Sequence, residues 1–117
     1  AIGSSKDGEK LYLVTVDGRQ TTSIGMTQAE LTKFLKSIGM YNAINLDGGG
    51  STTMVAQKLG ESTLSTINKP SGGSLRSVIN GIGIFSTAAC RLSTILINSG
   101  NVVSFFNCSR ASHAPLS

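Results

Sequence analysis

Residues 26–50 read MTQAELTKFLKSIGMYNAINLDGGG, and the fold turns on them. Thr27 and Glu30 have the spacing of a capping box, in which the Glu30 amide donates to the Thr27 hydroxyl and the carboxylate reaches back. Met26 and Leu31 occupy the staple positions on either side. Leu31, Phe34, Leu35 and Ile38 follow at i, i+3, i+4 and i+7, which draws one apolar stripe. Lys33 and Lys36 lie off that stripe, and Lys36 sits near the negative end of the helix dipole. Gly39 suits a left-handed stop. The spacing predicts a helix over about 27–38. "NAINL" then rises as a short strand into Asp47, followed by three glycines and three hydroxyls.

Working outward, "KLYLVTV" (10–16) is rich in β-branched and aromatic residues and reads as a strand ending at the Asp17-Gly18 turn. "STTMVAQ" (51–57) reads as a strand beyond the glycines, and "INKPSGGSLR" (67–76) as a loop. "SVINGIGIF" (77–85) is apolar on both faces and reads as a central strand. A strand, a helix and further strands imply an α+β fold, a mixed β-sheet with one main helix packed on one face. "STILINSGNVVSFFN" (93–107) reads as a C-terminal β-hairpin. A three-residue loop 98–100 with Gly100 left-handed would place Cys90 opposite Cys108, within reach of a disulfide. Such a bond would contribute about 3 kcal/mol in the chain-entropy model. A two-residue loop would put the cysteines on opposite faces instead.

The 117 residues suit one domain's core, and charged residues make up only 14%. Fourteen glycines and no Trp fit a β-rich, loop-rich domain of extracellular type. The net charge of +4 comes from Lys and Arg spread along the chain, without the basic-aromatic clusters of a nucleic-acid binder. A mildly basic surface still favours an anionic substrate. No apolar run approaches the ~20 residues a membrane span needs. The single histidine, His113, and two cysteines do not make up a zinc site, so no metal or other cofactor is expected. The opening "AIGSSKDGEK", without Met, is expected of a fragment or a processed product.

The chemistry points to "LDGGGS". Asp47 is one of six acidic residues and follows an apolar strand, a place for a base, nucleophile or ligand holder. Glycines allow several amides to face one anion, and Ser51, Thr52 and Thr53 add hydroxyls. The plainer alternative is a glycine turn with Asp47 capping its amides. Neither "GGGST" nor "GIGIFS" completes a nucleotide-binding motif. Arg76, after a flexible loop, suits phosphate or carboxylate; its plain alternatives are a solvated loop cation or an ion pair with Asp47. Asn80 is polar within an apolar run, where an Asn usually satisfies a neighbouring backbone group.

In order, "YLVTVDGRQ", "SIGMTQAELTKFLKSIGMYNAINLDGGGSTTMV" and "INKPSGGSLRSVINGIGIF" closely resemble the phosphodiester glycosidase family. The resemblance covers about residues 1–86 and implies hydrolysis of a sugar-1-phosphodiester, usually on a secreted, extracellular or lumenal glycan. Carried over by position, its motif falls on Asp17, Asp47, Gly48, Gly49, Gly50, Ser51, Thr52, Asn68, Arg76 and Asn80. The resemblance does not fix their roles; on their chemistry Asp47, Arg76 and Asp17 are expected to be catalytic and the others to contact substrate. A phosphate monoester is already a good leaving group, so charge stabilisation matters more than acid help. The family domain is longer, so residues 1–86 are expected to be its C-terminal part, possible to complete with a companion chain or segment. Gly72 stands where an Asp is common, and residues 87–117 have no counterpart and form an extension. The alternative is a non-catalytic glycan-binding or structural module of a cell-wall or phage-tail protein, gripping a phosphodiester-linked glycan.

Overall fold

In the computed structural model the described residues are 1–57, 61–85, 91–97 and 101–109. Strands β1 (Ile2–Ser4) and β2 (Lys10–Val16) precede helix α1 (Gln28–Ser37), and β3 (Asn42–Ile44) follows it. Then come β4 (Val55–Gln57), β5 (Leu64–Thr66), β6 (Arg91–Ile97) and β7 (Asn101–Ser109). Five strands form one sheet in the order β3-β1-β2-β7-β6, and β4 pairs with β5 in a small second sheet.

The helix forms where local chemistry places it. Thr27 is the N-cap: the Glu30 amide donates to its hydroxyl at 3.3 Å, and its own amide donates to the Glu30 carboxylate at 2.8 Å. At the other end Gly39 takes φ +91°, the Met40 amide donates to the Leu35 carbonyl, and the Gly39 amide donates to that of Lys36. That pair of bonds is a Schellman closure, and its apolar contact is supplied by Leu35 and Met40, both in the core. Leu31, Phe34 and Ile38 pack beside them, with Met26 from before the cap, against Tyr12, Val14 and Val16 on one face of β2. Val103 of β7 is fully buried in the same cluster.

The fold class is α+β. Every hydrogen-bonded strand pair described is antiparallel, where a mixed sheet was expected. The reason lies in β1. The helix does connect two strands that run the same way, β2 and β3, but β1 lies between them and opposes both. Gly3 makes this insertion possible, since a Cβ there would collide with the Asn42 carbonyl and the Met40 sulfur.

A second correction concerns residues 77–85, expected as a central strand. They form no strand, and Val78, Ile79, Ile82 and Phe85 are exposed. The two places beside β2 are held by β1 and β7, so residues 77–85 do not take the central position their composition suggested. The 51–57 strand is also shorter, because Gly49–Ser51 coil into a 3-10 turn before β4 begins. The strand expected over 42–46 likewise ends at Ile44.

The C-terminal hairpin is present, with Arg91 opposite Asn107 and Ile97 opposite Asn101. This is the register on which the Cys90–Cys108 pairing rested. Cys90 itself lies outside the described residues, as does His113. β7 also pairs with β2 from Lys10↔Ser109 to Val16↔Val103, so the hairpin extends the main sheet.

Both hydrogen bonds from Thr27, through the backbone first and the side chain second, hold the Glu30 carboxyl below its ordinary value. A lowered folded value means that the stabilisation is complete above the ordinary glutamate range and is lost as pH falls through the lowered one. Thr27→Ala is expected to cost about 1 kcal/mol at neutral pH. Urea unfolding should show the gap from wild type narrowing at acid pH; a gap independent of pH would contradict the capping-box account.

Candidate active site

Three loops meet at one end of the sheet. The first leaves β2 at Asp17, the second contains the glycines after β3, and the third leaves β5 at Asn68. Their backbones are fastened by side chains. Asn68 is buried; its Oδ1 accepts from the Met54 amide at 2.6 Å, and its Nδ2 donates to the Thr52 carbonyl at 2.9 Å. Asp17 is buried too, and its Oδ1 accepts from the Lys69 amide at 2.9 Å. Gln20 completes the grip by donating from Nε2 to the Lys69 carbonyl at 2.8 Å.

The first loop is a tight reversal. The Arg19 amide donates to the Ile24 carbonyl, and Gln20 and Ser23 exchange backbone bonds at 3.0 and 3.2 Å. Ser23, fully buried, donates from Oγ to the Asp17 carbonyl at 2.6 Å. Arg19 has φ +56°, the one non-glycine residue with a positive φ among those described.

The glycine turn is more closed than a simple nest. Gly48 is extended, Gly49 has φ +61°, and the Ser51 and Thr52 amides donate to the Gly48 and Gly49 carbonyls at 3.4 and 3.2 Å. These two amides are therefore engaged within the turn. Asp47, just before it, is exposed. Among the described residues its carboxylate makes no hydrogen bond or ion pair, so it neither caps the turn nor pairs with Arg76.

A broad open cleft of about 2190 Å³ runs over these loops. Asp17, Asp47, Gly48, Gly49, Ser51, Thr52, Asn68, Arg76 and Asn80 all line it, together with Lys69 and Arg19. Gly50 sits just behind, where a Cβ would lie 3.8 Å from Arg76 Nη1. Asn80 is exposed, rather than buried against a backbone group. Arg19 was not singled out from the sequence; its signal, a lone arginine after a DG turn, is faint until the loop is folded. Among the described residues no group of three or more His, Cys, Asp or Glu is placed to hold a metal ion. Nor is any helix among them long and apolar enough to cross a membrane.

A family model described as phosphodiester glycosidase matches residues 1–85, which carry all three loops. The chain belongs to the phosphodiester glycosidase family. An uncharacterized SPbeta prophage-derived protein of Bacillus subtilis (strain 168), YomE, is 40% identical over 85 residues, or 72% of this chain and 12% of that protein. The N-acetylglucosamine-1-phosphodiester alpha-N-acetylglucosaminidase of mouse is 46% identical over 55 residues, 47% of this chain and 10% of that enzyme. The human enzyme is 47% identical over 55 residues, with the same coverage of 47% and 10%. The chain therefore spans only about a tenth of the length of these relatives. No solved structure matches it.

Asn68→Ala would leave the Met54 amide and the Thr52 carbonyl without their partners. The expected loss is about 1–3 kcal/mol for the group left unsatisfied. It should appear as a lower urea midpoint at unchanged slope; an unchanged midpoint would show that the loops hold together without this bridge.

Proposed function

We propose that this chain carries catalytic machinery for hydrolysing the bond between the anomeric carbon of a sugar and a phosphodiester. One observation supports it above the rest: an exposed carboxylate, Asp47, and an exposed guanidinium, Arg76, line one cleft around a glycine turn, in a chain of this family. The phosphodiester carries one negative charge, and the departing monoester gains more. Arg76, an always-charged bidentate donor, offsets that growing charge. Asp47 serves at the anomeric carbon, as base for the attacking water or as nucleophile for a two-step reaction. In the single-step form, water's oxygen bonds to the anomeric carbon, Asp47 takes its proton, and the bond to the phosphate oxygen breaks, with the electron pair leaving on phosphate.

The glycines keep side chains out of the turn, so that phosphate can approach backbone, and the Ser51 and Thr52 hydroxyls lie at its edge. Asn80 stands on the cleft wall, where it is free to meet a sugar hydroxyl. Asp17 and Asn68 are positioning residues on this reading, since their polar atoms are engaged with the backbone of neighbouring loops.

The substrate class on this reading is an extracellular or lumenal phosphodiester-linked glycan. The hairpin register supports a Cys90–Cys108 disulfide, which persists only in an oxidising compartment. Thiol titration of non-reduced protein is expected to find neither cysteine free; two free thiols would remove this support.

The exposed apolar residues 78, 79, 82 and 85 favour a second reading, a glycan-binding module without turnover that works inside a larger assembly. Assay of sugar-1-phosphodiesters with wild type and Asp47→Ala separates the two. Turnover that falls by about 10²-fold or more in the variant supports the hydrolase. A folded wild type that binds the glycan and releases no sugar supports the module.

A further inference from the structure

Arg19 has a feature that the tight reversal alone does not require. Its backbone lies at φ +56°, a region that L side chains other than Asn and Asp enter at a cost. A glycine would sit there without strain. The loop nonetheless holds an arginine, and its fastening to Ile24, Ser23 and Asp17 keeps the residue in place.

The outcome of that strain is where the side chain goes. A Cβ built on Gly49 would lie 3.5 Å from Arg19 Nη2 and 3.6 Å from both Cζ and Nη1. The guanidinium thus lies across the turn at the position that a side chain at 49 would need. On the next residue, a Cβ at Gly50 would lie 3.8 Å from Arg76 Nη1. Two guanidinium groups therefore flank consecutive glycines. Both arginines are exposed, and among the described residues neither forms an ion pair with a carboxylate. Like charges drawn to one turn repel, and an anion bound between them relieves the repulsion.

We infer that Arg19 is a second phosphate-binding residue of this site, sharing the charge of a phosphodiester with Arg76 across the glycine turn. This rests on the hydrolase reading for its ligand. A phosphodiester has two non-bridging oxygens, and a guanidinium on each side allows each oxygen its own donor. The same clamp would hold the monoester product or inorganic phosphate, which share the chemistry.

The test uses the full chain with Arg19→Gln and Arg19→Gly. Inorganic phosphate and a sugar-1-phosphodiester are titrated by calorimetry, and KM and kcat are measured on the phosphodiester. Loss of one charge-assisted contact is expected to weaken phosphate binding by about 10-fold or more, with a matching rise in KM. Arg19→Gly should at the same time melt no lower than wild type, because it relieves the positive φ. A stable variant with weakened phosphate binding is something a merely structural arginine would not give. Unchanged phosphate affinity and KM in both variants would overturn the inference even if wild type turns over. Weakened phosphate binding in variants of a wild type that hydrolyses nothing would sustain the clamp and sink the hydrolase. A wild type that binds neither ligand would overturn both.

Discussion

The site depends on one amide. Asn68 uses its oxygen on one side of Thr53 and its nitrogen on the other, so the chain leaving the glycine turn has a fixed path. The neighbouring residue, Lys69, is held at both its amide and its carbonyl by Asp17 and Gln20. Side chains thus bind three loops that have few backbone bonds to one another. A loop so fastened loses its freedom during folding rather than when a ligand arrives, and this is what preorganisation of a polar site means physically.

Local chemistry was legible in the sequence wherever the cause was local. The capping box, the apolar stripe and Gly39 all act within a few residues, and they fix α1 to within one residue at each end. β2 was legible because its composition and its DG stop agree. What failed depended on distant parts of the chain. Residues 77–85 have every internal property of a strand, yet the two places beside β2 go to β1 and β7, which lie far away in sequence. The antiparallel sheet was hidden for the same reason, since nothing within β2 or β3 shows that β1 slips between them.

The site divides the same way. Asp47 and the glycines announce themselves, because an acid and three unhindered residues after an apolar run are unusual. Asp17 and Asn68 were legible as places, but their bonds to neighbouring loops were not: which backbone group a carboxylate or amide meets depends on which loop arrives beside it. Arg19 was silent because its meaning comes from φ and from Gly49, thirty positions later.

The family match stops at residue 85, but the sheet does not. β7 holds the whole length of β2 by hydrogen bonds, and its Val103 closes the core beneath Tyr12 and Val14. Where β2 ends, Asp17 begins. The strand that aims one wall of the cleft is therefore clamped by a portion of the chain that lies outside the family match. In this protein the loops within the family match and part of the sheet beneath them come from different stretches of sequence, and variation in the second reaches the first through a single shared ladder.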